Sequence, residues 1–284
     1  MSRSRRCGGF LGLLLAATLT GCAPEAAPVS AAPPLQALPI DRIARVFIPA
    51  GEFEMGNAQD TGEMPPHRVQ LRDFWMDRTE VTNAQYAPCV LQGVCQPPRR
   101  PSSYTRPDYF GNPDYANYPV IYVNWNDADT FCRWAGARLP TEAEWERAAR
   151  GLDERKYPWG DQSPQPALVN FNFSVGDTSP VGSDPSGASP DGVLDMAGNV
   201  AEWVADWFEG DYYAQSPLSD PTGPVATGTH VVRGGSWLDN PNAVRADLRL
   251  GYPSDSAFLN LGFRCAESTS PPAFAAGAVG GRRR

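Results

Sequence analysis

Residues 232–266, VRGGSWLDNPNAVRADLRLGYPSDSAFLNLGFRCA, set the narrowest limits on what this chain can fold into. The segment opens on Arg233-Gly234-Gly235-Ser236-Trp237 and closes on Gly262-Phe263-Arg264-Cys265. Two adjacent glycines permit positive φ and a close backbone approach to another segment. Trp237 and Phe263 supply large side chains for burial. Four arginines, Arg233, Arg245, Arg249 and Arg264, recur through a polar, loop-rich middle. A guanidinium is a planar fork of donors that suits carboxylates and carbonyls. Taken singly, each arginine reads as a staple between irregular loops. Taken together they allow a second reading, in which residues 238–259 line a surface site held between two rigid ends.

The rest of the chain limits the class. Its 284 residues suffice for one large domain or two small ones, and 42% hydrophobic content supports a core. Setting aside Arg3, Arg5, Arg6 and the terminal Arg282, Arg283 and Arg284 leaves 18 basic against 32 acidic residues, a net charge of −14. Such a body repels nucleic acid. The N-terminus reads as a targeting segment, with a basic start and an apolar run, FLGLLLAATL, too short to span a bilayer. It ends in Leu19-Thr20-Gly21-Cys22, which looks like a bacterial lipobox. Residues 1–21 are then a lipoprotein signal peptide and Cys22 the lipidated first residue of an exported, membrane-anchored protein, in the periplasm or at the outer membrane or cell surface. Residues 22–39 read as an Ala/Pro tether, 40–267 as one domain, and 268–284 as a disordered tail.

Within the domain, residues 45–49, 53–56, 68–76 and 120–123 read as strands. Thr82 with Gln85, and Thr141 with Glu144, are capping boxes that start helices, and Asn124 caps a third. Pro88 must lie near the first helix start or kink it. Ala128, Phe131, Cys132 and Ala135 form one apolar helix face, and Trp145, Ala148 and Ala149 another. Residues 192–207, GVLDMAGNVAEWVADW, carry side-chain oxygens at Asp195, Asn199, Glu202 and Asp206. Several oxygens in one turn suit Ca²⁺, although the EF-hand spacing is absent. A polar turn leading into an amphipathic segment accounts for the same residues. Four cysteines remain once Cys7 is cleaved and Cys22 lipidated, and four allow three pairings.

FEMG (53–56), EVTN (80–83), RLPTEAEWE (138–146), YPWG (157–160), GNVAEW (198–203), RGGSW (233–237) and GFR (262–264) occur in an order that resembles the formylglycine-generating enzyme, or sulfatase-modifying factor, family. The likeness covers nearly all of residues 45–266, with Ala201 where the family usually places Trp. It implies a compact, loop-rich α+β fold related to C-type lectins. It implies structural calcium, held by the side chains of Asp195 and Glu202 and the carbonyls of Gly198 and Val200. A second calcium would take Asn170 and the carbonyl of Phe171, with Asp177 as a candidate. It also implies the disulfide Cys132–Cys265; of the three possible pairings we therefore expect this one together with Cys89–Cys95.

Oxidases of the family bind Cu(I) through two cysteines soon after the GGS motif, and thiolates suit that soft ion. Here the matching positions are Asp239 and Val244, so copper is not expected. Iron relatives need several histidines, and this chain has two, His67 and His230. The resemblance therefore predicts a calcium-stabilised module of the cell envelope. It would bind an unidentified envelope protein or surface ligand through Trp237, Asp239, Asn240, Arg245 and Tyr252. The alternative is a divergent formylglycine-generating-type oxidoreductase that modifies an envelope protein.

Overall fold

A computed structural model describes residues 43–58 and 62–269. The signal peptide, Cys7, Cys22, the whole tether and the tail from residue 270 lie outside the described residues. Among the described residues, three small sheets and three α-helices carry the domain, with short 3-10 turns between them. Strands β1 (Arg45–Ile48), β4 (Phe74–Asp77) and β9 (Ala266–Ser268) form one antiparallel sheet in the order β1-β4-β9. Strands β2 (Gly51–Met55) and β3 (His67–Leu71) pair separately. The third sheet runs β7 (Arg249–Pro253), β6 (Thr229–Arg233), β5 (Ala201–Trp207), β8 (Leu261–Phe263), with β5 and β8 parallel.

The helices start where the capping residues place them. Helices α1 (Asn83–Leu91), α2 (Trp125–Trp134) and α3 (Glu142–Arg150) each show a reciprocal capping box, on Thr82, Asn124 and Thr141. Each satisfies two amide donors that a helix start leaves unpaired. Pro88 is inside α1, not at its start. The apolar face of α2 packs against Val81, Tyr86 and Phe263, while Trp145, Ala148 and Ala149 of α3 pack with Phe53, Val69 and Val204.

Two strand expectations need correction. Residues 68–76 are not one strand: the chain changes sheet at Arg72-Asp73, leaving β3 for β4. Asp220 takes both the Arg72 amide and its Nε at that break. Apolar and polar residues alternate only through Leu71; the adjacent polar pair Arg72-Asp73 interrupts the pattern where the chain leaves β3. Residues 120–123 are buried but join no ladder. Val120 donates to the Val81 carbonyl, Tyr122 donates to the Phe258 carbonyl, and Tyr122 has a left-handed φ of 59°.

In β6, His230 lies between the rings of Trp125 (3.9 Å) and Trp207 (3.7 Å), with Nδ1 3.2 Å from the Asp206 carbonyl. Burial pushes the imidazole down to about 4. A histidine with a depressed folded value contributes stability that is present above its unfolded value and is lost as pH falls through the folded one. Between pH 6.5 and 4 the wild type is expected to lose up to about 3 kcal/mol that His230→Phe retains. Urea unfolding of both proteins at several pH values checks this. Parallel curves would reject it.

Candidate functional site

The loop after β6 is shaped by its two glycines. Gly234 and Gly235 have φ of 87° and 61°. A Cβ on Gly235 would lie 2.2 Å from the Ala243 carbonyl oxygen, so no larger residue fits that approach. The turn delivers Ser236, whose hydroxyl donates to Asp239 Oδ2 at 2.6 Å while its amide donates to the same oxygen at 2.9 Å. Asn260 Nδ2 donates to the Ser236 hydroxyl at 2.9 Å. The carbonyls of Trp237 and Asp239 accept from the amides of Phe173 and Asn172. These bonds lock the loop and occupy the Ser236 hydroxyl.

Beneath the loop lies a network of buried charge. Arg233, Arg249 and Arg264 are all buried. Arg264 forks onto Glu202 at 2.6 and 2.7 Å. Arg249 forks onto Glu142 at 2.8 and 2.9 Å. Arg233 pairs with Glu146 and also donates to the carbonyls of Ala246, Asp247 and Leu248. Charges this deep require partners that use most of their donors and acceptors. The arginines are staples, and the reading in which they line a surface site is overturned for these three.

Residues 35–269 match the sulfatase-modifying factor enzyme 1-like domain. The chain belongs to this family. The formylglycine-generating enzyme of Streptomyces coelicolor is 38% identical to it, across 84% of this chain and 94% of the relative. Inactive C-alpha-formylglycine-generating enzyme 2 of Mus musculus is 32% identical, across 81% and 87%. Among solved structures, PvdO from Pseudomonas aeruginosa shares the fold with a TM-score of 0.67 and 29% identity, covering 79% of this chain and 94% of its own.

At the positions that resemble the family's copper cysteines, Asp239 is held by Ser236 and Val244 is fully buried. A hydrogen-bonded carboxylate and an aliphatic side chain do not fit Cu(I). The cysteines of the described domain are paired as Cys132–Cys265, as the resemblance implied, and as Cys89–Cys95, the pairing expected with it. His67 packs on Tyr213, away from the partners of His230.

The calcium donor set fits in part. Both oxygens of Glu202 hold Arg264, and Oε2 also accepts from Trp145 Nε1 at 2.8 Å. Glu202 is therefore the counter-ion of an arginine, which corrects its reading as a calcium ligand. Asp177 accepts from Ser103, Thr105 and Thr178 and is likewise engaged. Asp195 fits better, with Oδ2 accepting the Gly182 amide and its carboxyl also in contact with that of Glu80. It borders a polar cavity of about 10 Å³ that Asn170, Asp184 and Asn199 also line. Burial and the neighbouring Asp195 charge push the Asp184 carboxyl up, as expected of two carboxylates sharing a small space. Gly198 approaches Asn170 so closely that a Cβ would lie 2.3 Å from its carbonyl oxygen. The Phe171 carbonyl accepts from Ser174, and Val200 is buried. Among the described residues no three Asp, Glu, His or Cys side chains form a metal-holding group, so a cation here would depend on amide and carbonyl oxygens.

The proposed binding residues separate into two groups. Trp237 is fully buried, which removes it from any contact surface. Arg245 is tied to Glu63 at 2.8 Å and Asp247 at 2.9 Å. Asn240 is exposed, while Asp239 and Tyr252 are half-buried. Burial, then the charge of Asp239, raises the Tyr252 hydroxyl. What sequence reasoning missed is the aromatic pair over Trp237: Tyr104 and Phe173 lie 5.4 and 5.3 Å from its ring and are 62% and 53% exposed. They come from loops 133 and 64 positions away from Trp237. No local pattern connects them.

Proposed function

We propose that this chain is an exported, lipid-anchored binding member of the sulfatase-modifying factor family that does not carry out the copper oxidase step. One observation carries this reading: the two copper positions hold a locked carboxylate and a buried valine. The mouse relative named inactive supports the idea that the fold persists without that step. The contact face is Asp239, Asn240 and Tyr252 with the exposed rings of Tyr104 and Phe173. Its partner is an envelope protein or a surface ligand, and the acidic body excludes nucleic acid.

The test is direct. The mature domain is incubated with copper, oxygen, a thiol reductant and a sulfatase-type cysteine peptide. The peptide mass is expected to stay unchanged and the protein to retain no stoichiometric copper. An aldehyde product would favour the alternative, a divergent oxidoreductase acting on an envelope protein, which the 38% identity to the Streptomyces enzyme supports.

Structural calcium is part of the same proposal, supported by Asp195 and the polar cavity beside it. A ligand bound only by the native state stabilises it by mass action, by about 2.7 kcal/mol at a hundredfold excess over Kd. Chelation is therefore expected to lower the melting temperature of the wild type, and Asp195→Ala to melt at the same temperature with and without chelator. A wild-type curve indifferent to chelator and to added calcium would remove calcium from this reading.

A further inference from the structure

Away from the Ser236 loop, the three sheets and two helices meet around a groove of about 400 Å³. That volume falls within the range of small-ligand sites. Its apolar part is formed by Leu71, Leu139, Ala205 and Trp125. The Trp125 ring is fixed by its stack on His230 and by donation from Nε1 to the Val204 carbonyl at 2.8 Å. The floor is therefore preformed.

The polar groups around it are unbalanced in hydrogen-bonding capacity, although their charges cancel. Three acids line the groove with three arginines. Both oxygens of Asp220 accept from Arg72, one from its amide and one from Nε. Both oxygens of Glu144 accept from Arg138. Asp129 accepts from Arg133 Nε. Arg72 and Arg133 are thus each held through Nε alone. Their side chains are 78% and 72% exposed, and among the described residues their Nη groups have no hydrogen-bond partner. The groove therefore offers spare donors beside an apolar floor and few spare acceptors. Such a site accepts a carboxylate, which takes the fork of a guanidinium, together with an apolar or aromatic group.

We propose that this groove is a second binding site, for an apolar group bearing a carboxylate. This inference is independent of the fate of the copper positions, since the groove shares no residue with the Ser236–Asp239–Asn260 lock. A free aryl carboxylic acid and the C-terminal residue of a polypeptide both present that chemistry.

The full mature chain is titrated calorimetrically with 3-phenylpropionate and with a pentapeptide ending in a free phenylalanine carboxylate. The C-terminal amide of each serves as control. The Trp125 indole signal, assigned with Trp125→Phe, reports the location. Saturable binding is expected for at least one acid, with its amide weaker by about tenfold or more, equivalent to about 1.4 kcal/mol. The double variant Arg72→Gln/Arg133→Gln is expected to lose a comparable factor. Its melting temperature should stay near that of the parent, because exposed ion pairs contribute little. Tighter binding of the peptide identifies a polypeptide C-terminus as the natural source, and tighter binding of the free acid identifies a small molecule. The proposal is overturned if each amide binds as well as its acid. It is also overturned if neither acid saturates up to about 10 mM, a level reached by weak sites, or if the double variant binds like the parent.

Discussion

Arg264→Leu is expected to lower the unfolding free energy by about 3–5 kcal/mol, among the largest effects any single substitution can have in this domain. Arg264 is fully buried and makes a fork onto Glu202, which is itself fully buried. It also donates to the carbonyls of Asp77, Leu194 and Asp195 at 3.0 to 3.2 Å. Removing it strands the Glu202 carboxylate and three acceptors away from water. Glu80 is close by: burial, then the Asp195 charge, already pushes its carboxyl well above the usual range. Without Arg264, Glu202 is left as a buried carboxylate with no cation beside it, the costliest way to break such a pair. Replacing both partners, Arg264→Leu with Glu202→Leu, should recover part of the loss, because no unpaired charge stays behind. Chemical denaturation of the single and double variants measures this. A double variant as damaged as the sum of the singles would show that the pair is not coupled.

The second large effect is expected from Cys132–Cys265. These two residues are separated by 133 positions, whereas Cys89–Cys95 closes a separation of only 6. In the chain-entropy account, a cross-link stabilises by restricting the unfolded chain, and the effect grows with the logarithm of loop length. The long loop is worth about 5 kcal/mol in this account and the short one about 2. The long bridge also ties α2 to the segment between β8 and β9, joining elements that otherwise meet only through packing. Cys132→Ala/Cys265→Ala is expected to destabilise far more than Cys89→Ala/Cys95→Ala, measured by unfolding under oxidising conditions. Equal losses for the two pairs would falsify the loop-length argument.

Much of this molecule was legible before any fold was known. Capping boxes on Thr82 and Thr141, and the cap on Asn124, depend on contacts only three residues apart, so sequence alone fixes where the helices begin. Gly235 was legible for a similar reason, since a close approach excludes any side chain. The family followed from an ordered set of short motifs, and with it the Cys132–Cys265 disulfide, which left Cys89 and Cys95 to pair with each other.

Tertiary structure alone decided what those residues are for. Glu202 sits in a calcium-like pattern of oxygens, yet Arg264, 62 positions away, occupies it as a counter-ion. Asp239 stands where the sequence resemblance puts a copper cysteine, and Ser236 makes it a turn lock. Trp237 opens a polar loop and is nonetheless buried under Tyr104 and Phe173. Residues 68–76 read as one strand, but the chain changes sheets within them. A side chain's chemical type and its near neighbours are properties of the sequence. Burial, charge partner and exposure depend on which distant segment packs against it, and in a loop-rich fold with many long connections that information is spread over the whole chain.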